Sequence, residues 1–254
     1  SPGADIIVNG RLMVEGKIDF STDTAWPVAF VASQRDRPWG GFIVRGAGAQ
    51  VTARGAFFTG SGANPRWFDE NSGYDVHRSE QALFLIDGGR VELTDCYAFD
   101  GHGQFGHGKN GFLTLTRCLV QKFITGGEYN GGSVRIDQSA LIEFPADDDV
   151  FDDADNDCIY FTTGNHVIRD TVIGWGKDDG IDAGSGGAGS VLASNVWVEA
   201  CYHEAFAWSG SGRVVTNLHC VALDNGQGIE CGWSGAANSP RVFADDCLSL
   251  GNLS

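Results

Sequence analysis

One pattern of apolar and polar positions recurs along the chain: a short alternating strand, a small residue or cysteine, a second apolar pair, then a turn of Gly, Asn or Asp. In order it reads QVTARGAFFTG, RVELTDCYAFDG, FLTLTRCLVQKF, SVRIDQSALIEF, HVIRDTVIGWG, VLASNVWVEAC, VVTNLHCVALDNG and RVFADDCLSLGN. Alternation without a 3.6-residue period predicts strands and excludes leucine-rich or helical repeats. The small position runs through Gly55, Cys96, Cys118, Ser139, Thr171, Val196, Cys220 and Cys247, at spacings of 41, 22, 21, 32, 25, 24 and 27 residues. Self-similarity at that period marks a solenoid. Together these features predict an all-β fold, a single-stranded right-handed parallel β-helix that takes up the whole chain, 1–254, as one domain.

Three departures interrupt the repeat. The first 50 residues are less regular, with GRLMVEGKIDF, PVAFVASQ and WGGFIVRG as opening coils. Residues 60–80, GSGANPRWFDENSGYDVHRSE, form a loop excursion rich in aromatics. Trp67, Phe68 and Tyr74 suit either a sugar-binding wall, because aromatic rings bury apolar area against pyranose faces, or a loop anchored on its own rings. Residues 145–156 form an acidic loop with six aspartates between Asp147 and Asp155, leading into a further aspartate at Asp157.

Composition narrows the function. Thirty-seven glycines without a collagen period fit many tight turns. A formal net charge of −16 argues against nucleic acid or an anionic membrane surface as partner and suits a secreted protein that handles divalent cations. No run approaches the ~20 apolar residues of a membrane-spanning helix. The opening SPGADIIVNG and the end at GNLS, in mid-pattern, read as a processed product or a piece of a longer extracellular or cell-surface chain. Seven cysteines with no CxxC pair indicate free thiols at repeat positions rather than a zinc site or a disulfide framework. His102 and His107, in GHGQFGHG, have no local carboxylate and make a weak metal signal.

The chemistry concentrates in DDADNDCIYFTTGNHVIRDTVIGWGKDDGID, residues 152–182. Asp157 and Asp179 are 22 residues apart, about one coil, which predicts two carboxylates stacked on neighbouring rungs. Four segments align: Asp157 to Tyr160, Asp179 to Asp182, Glu204 to Ala207 and Gln227 to Glu230. Their third residue is always apolar, their first column reads Asp157, Asp179, Glu204, Gln227, and their last reads Tyr160, Asp182, Ala207, Glu230. Stacked acids repel unless one binds a proton or a cation sits between them. Ca²⁺, which takes six to eight hard oxygen ligands, is the expected cofactor, held by Asp157, Asp178, Asp179 and Asp182 with Glu204 adjoining.

The KDDGID segment, preceded one coil earlier by DNDCIYF, resembles the calcium motif of the family-nine polysaccharide lyases, β-helical pectate lyases that are secreted. The resemblance covers about two coils. It implies Ca²⁺ ligands at Asp157, Asp178, Asp179 and Asp182 and β-elimination on an acidic glycan. That family carries a lysine base on the next rung, where this chain has Ala207 in HEAFAWSG. Lys177, His203 and His219 are the substitute base candidates, and Trp67, Trp208 and Arg213 the candidates for substrate contact. Three readings stand: a Ca²⁺-dependent lyase-like protein acting on or binding an acidic polysaccharide; a non-catalytic domain that binds glycan or another surface protein; and a glycoside hydrolase using Asp182, Glu204 and Glu230.

Overall fold

The computed structural model describes all residues except 1–4, 9, 23–25, 35, 72, 75, 145–155, 185–186, 234–235 and 254. The acidic loop from Asp147 to Asp155 therefore lies outside the described residues. Among the described residues, twenty-five strands join into one hydrogen-bonded parallel stack, as the repeat predicts. Each coil gives one strand to a first sheet and two to a second. Phe84–Asp87, for example, pairs with Gly106–Lys109 in the first sheet. Arg90–Thr94 and Tyr97–Phe99 pair with Phe112–Thr116 and Leu119–Gln121 in the second. The irregular opening also forms coils, with Leu12–Val14 pairing to Phe42–Arg45. Among the described residues no helix is long and apolar enough to cross a membrane.

Alternation along each strand sends every second side chain inward, and the parallel register places it on its equivalent in the next coil. The result is columns of like residues. Phe42 stacks on Phe84 with centroids 5.2 Å apart and Phe30 on Phe58 at 5.1 Å. Cys96, Cys118, Cys158, Cys201 and Cys220 are buried, and all seven cysteines are free.

The two strands of the second sheet meet at a single left-handed residue. Asp95, Arg117, Gln138, Asp170, Asn195, His219 and Asp246 fill this corner with φ between 49° and 54°, and Gly55 fills it with φ 66°. Gly55 is thus a corner residue and not the first member of the small column. That place belongs to Ala56, since Phe57 pairs with Tyr97 and so Ala56 with Cys96. A left-handed conformation costs an L-residue about 1–2 kcal/mol. Side-chain bonds along the corner offset it: Arg117 to Asp95 at 2.7 and 3.0 Å, Asn195 to Asp170 at 2.7 Å, and His219 to Asp246 at 3.1 Å.

The 60–80 excursion lies back over the first sheet. Its one helical turn, Trp67–Glu70, buries Trp67 and Phe68 against Ile43, Ala82 and Leu85. The Phe68 ring lies 4.3 Å from that of His107. Trp67 is 6 % exposed, so it anchors the loop and offers no sugar wall. Trp67→Ala is expected to cost about 3–5 kcal/mol locally. Limited proteolysis should then cut between residues 60 and 80 well below the melting temperature of the coils, whereas a cleavage pattern like the wild type's would contradict this anchoring.

Candidate functional site

The sheet pairing fixes the site's geometry. Tyr160 pairs with Asp182, Asp182 with Ala207, and Ala207 with Glu230, so these four form one outward column on the first sheet. Upstream the same column holds Ile43, Leu85, His107 and Glu128. Their inward neighbours Ile159, Ile181 and Phe206 are buried in the core, as the alignment predicts, but the fourth apolar residue, Ile229, is 38 % exposed.

The acids just before these strands form a second ladder. The Asp179 N–H donates to Asp157 Oδ1 at 3.3 Å and the Glu204 N–H donates to Asp179 Oδ1 at 2.7 Å. Gln227 ends the ladder by donating its side-chain amide to Glu204 Oε1. The bend between Asp179 and Asp182 requires glycine. A Cβ on Gly180 would lie 2.3 Å from Val198 Cγ1 and 2.7 Å from the Ala205 carbonyl oxygen.

Both columns open into a cleft of about 260 Å³ lined by His77, Asp157, Tyr160, Asp178, Asp179, Asp182, Gly184, His203, Glu204, Ala207, Ser209, Glu230 and Trp233. One carboxylate oxygen from each of Asp157, Asp179 and Asp182 lies within 4.8 Å of the others. Ca²⁺–oxygen bonds of about 2.3–2.6 Å span such a set. A second triad, Asp178, Asp179 and His203, meets the same limit, so Asp179 belongs to both. Glu204 belongs to neither: His203 Nδ1 approaches its Oε2 at 2.5 Å while Gln227 holds the other oxygen.

Burial raises the carboxyls of Asp157, Asp179 and Asp182 well above the usual range. The next cause is a neighbouring acid: Asp182 for Asp157, Asp157 for Asp179, and Asp178 for Asp182. The backbone N–H bond from Asp179 pulls Asp157 the other way without prevailing.

The remaining candidates divide. His203 faces the acid cluster, with Nδ1 3.7 Å from Asp178 and 3.8 Å from Asp179. Lys177 is buried and does not line the cleft. His219 sits at the left-handed corner of the second sheet, outside the cleft, where it bonds Asp246. Trp208 is a fully buried core residue, because its position faces inward. Arg213 is also buried and acts as a staple. Its Nε donates to the Ser209 carbonyl at 2.7 Å, and Nη2 donates to those of Thr162 at 2.8 Å and Gly184 at 3.0 Å. It ties the ends of three successive rungs under the cleft rather than meeting substrate. His107 lies beneath Phe68, with burial pushing its imidazole down to about 3, and His102 lines a different groove. That groove, about 920 Å³ along the far end of the second sheet from Ala32 to Trp175, is larger, but its acids are only Asp100 and Glu143, and Glu143 pairs with Lys122 at 4.0 Å.

Sequence reasoning missed His77, Glu128, Ser209 and Trp233. Glu128 is 3 % exposed and accepts the backbone N–H groups of His77 and Arg78, each at 2.7 Å. Burial pushes its carboxyl up to about 7 despite those two bonds. The His77 ring lies 4.0 Å from that of Tyr160. The available signal was the outward column itself, which continues upstream through GHGK, EYN and IYF. Comparison with protein-family models, characterised proteins and solved structures finds no significant match to this chain.

In the metal-free protein the raised carboxyls cost stability as pH rises, for Glu128 from 4.5 towards 7. A carboxyl whose folded pKa is raised holds its proton in the folded state after the unfolded chain has released it, so deprotonation on the way up destabilises. For Glu128 this loss runs from 4.5 to about 7, and the three aspartates act in the same direction. His107 and His166, lowered to about 3 and about 4, act oppositely, but only below their ordinary 6.5. Thermal melts in chelator should show the wild-type Tm falling relative to that of Glu128→Gln as pH rises from 4.5 to about 7, a comparison in which the two histidines cancel. A wild-type Tm that climbs relative to the variant over this window would contradict the assignment.

Proposed function

We propose that this chain is a secreted Ca²⁺-binding β-helix protein of the polysaccharide lyase type, acting on or binding an acidic extracellular polysaccharide at the cleft. The observation that carries the proposal is the triad of Asp157, Asp179 and Asp182, with oxygens within 4.8 Å of one another at the cleft floor. The donor set is all hard oxygen on this side, which fits Ca²⁺. A cleft lined by so many acids repels an anionic polymer, so a bridging cation gives uronate recognition its physical basis. Bound there, Ca²⁺ would neutralise the uronate carboxylate and acidify the proton on the adjacent carbon. The chain's own residues supply the rest. The backbone ladder orients Asp157 and Asp179, Arg213 fixes the three strand ends below, and Tyr160, Ser209 and Trp233 offer hydroxyl and aromatic surface to a sugar.

The DND and KDDGID pairing, similar to that of family-nine lyases, supports this reading, while Ala207 departs from it. Ala207 favours the second reading, a scaffold or glycan-binding domain in which the cation only staples adjacent rungs. Calorimetric titration should show Ca²⁺ binding that weakens at least ~100-fold in an Asp179→Asn, Asp182→Asn variant. Unchanged affinity would remove the metal site. Polygalacturonate, alginate and glycosaminoglycans should then be incubated with and without Ca²⁺ while the ultraviolet absorbance of the unsaturated product is followed. A Ca²⁺-dependent rise establishes the lyase. A flat trace with a Ca²⁺-dependent rise in Tm assigns the scaffold instead.

A further inference from the structure

We propose that His77, delivered by the 60–80 excursion and held in place by Glu128, is the proton acceptor of the cleft, a role that Ala207, on the rung after Asp182, cannot fill. This rests on the lyase reading and names the residue that reading lacks.

The path of the excursion carries the inference. From Gly60 the chain turns back over the first sheet and anchors Trp67 and Phe68 on Ile43 and Leu85, with Phe68 over His107 on the next rung. One rung further, the two oxygens of Glu128 take the backbone N–H groups of Arg78 and His77. One rung further again, the His77 ring lies on Tyr160, which pairs directly with Asp182. The loop therefore follows one column across successive coils and releases its imidazole at the wall of the acid cleft. Strands stack about 4.8 Å apart, so His77 stands over the rung before Asp182, while Ala207 occupies the rung after it. An acceptor at His77 would approach a uronate held at Asp182 from the opposite flank.

Elimination of the other bases supports this. Lys177 is buried and does not line the cleft, His219 bonds Asp246 at the corner of the second sheet, and Arg213 is tied to three carbonyls. His203 lines the cleft, but its Nδ1 lies among Asp178, Asp179 and Glu204, where the cation belongs. His77 is the other imidazole of the cleft lining. The mode of attachment also fits. Apolar anchors alone hold a loop loosely, whereas a buried carboxylate on two consecutive backbone N–H groups fixes the chain at His77 itself. Catalysis by a positioned base needs that fixity.

In the step proposed, an imidazole nitrogen of His77 takes the proton from C5 of the uronate. The C5–H electron pair becomes the C4=C5 double bond, and the C4–O glycosidic bond breaks. The departing oxygen takes a proton from water entering the open cleft, and His77 returns its own to solvent, so no oxidant or reductant is needed.

The experiment compares wild type, His77→Ala, His77→Gln and Glu128→Gln on whichever uronate polymer the panel shows to be cleaved. Loss of a general base should lower kcat by ~100-fold or more in both His77 variants while Ca²⁺ affinity by calorimetry stays within about threefold. Added imidazole should restore turnover in His77→Ala. Glu128→Gln, which loses a positioning group and not the base, should lower kcat without imidazole rescue. Independently of turnover, the His77 imidazole resonances in wild type, assigned by their loss in His77→Gln, should move when a monomeric uronate, which has no glycosidic bond to cleave, is added in the presence of Ca²⁺, beyond any shift caused by Ca²⁺ alone. Wild-type kcat in His77→Ala, or unmoved resonances, would overturn the assignment of His77 alone. A wild type that binds Ca²⁺ but cleaves nothing would overturn the lyase reading and this proposal with it.

Discussion

Parallel strands in register, about 4.8 Å apart, leave no residue independent of its equivalent one coil away. Whatever occupies a column is repeated at contact distance, so each column must carry side chains that tolerate their own kind. Aromatic rings do so by stacking, as Phe42 does on Phe84, and thiols do so by being small and apolar. At the corner, the left-handed residues turn the constraint to advantage. Asp95 takes both Arg117 contacts, and Asp170 takes the Asn195 amide, so strain at each corner is shared along the ladder. Like charges are what a column cannot hold without help.

The acid ladder shows how far the polypeptide itself can supply that help. Asp157 and Asp179 each accept the next rung's backbone N–H, a bond that favours the charged carboxylate. Burial and mutual repulsion favour the neutral form, and they prevail at Asp157, Asp179 and Asp182. The contrast with Asp95 is informative. Set beside Arg117 on an open corner, its carboxyl is held below the usual range. The same residue type in the same fold thus serves as a satisfied anion in one column and a strained one in another. A strained anion buried beside a cleft is the arrangement that a divalent cation relieves.

The fold and the ladder were legible because both follow from periodicity. The 22-residue step from Asp157 to Asp179 and the apolar third position of DCIY, DGID, EAFA and QGIE are translational facts, and the pairing of Ile159 with Ile181 reproduces them. The errors have separate sources. Trp208 pairs with Ala183 and Cys231 and faces inward by the same alternation that buries Phe206, and Arg213, paired with Gly189, turns under the strand ends to reach three carbonyls. Gly55 was placed one residue off because glycine suits both a small column and a left-handed corner. Trp67 and His77 were illegible for a different reason. A 21-residue excursion has no partner in the next coil, so its landing place depends on side-chain docking alone.

That excursion also breaks the locality of the solenoid. In a stacked repeat each coil touches only its neighbours, and local opening at one end does not reach a site several coils away. Here a single segment leaves at Gly60, buries its rings on Ile43 and Leu85, and ends on Glu128 and Tyr160. It joins the early coils to the wall of the acid cleft by contacts that bypass the strands between. The outward column supports it in sequence: apolar where the rings land, acidic where the backbone must be held, aromatic where the imidazole rests. Below Tyr160 the column changes to Asp182, Ala207 and Glu230, and the excursion stops. The boundary between covered and open column is therefore the boundary of the cleft. Its position is set by the length of the excursion and by the one carboxylate, Glu128, that accepts two backbone hydrogens at its end.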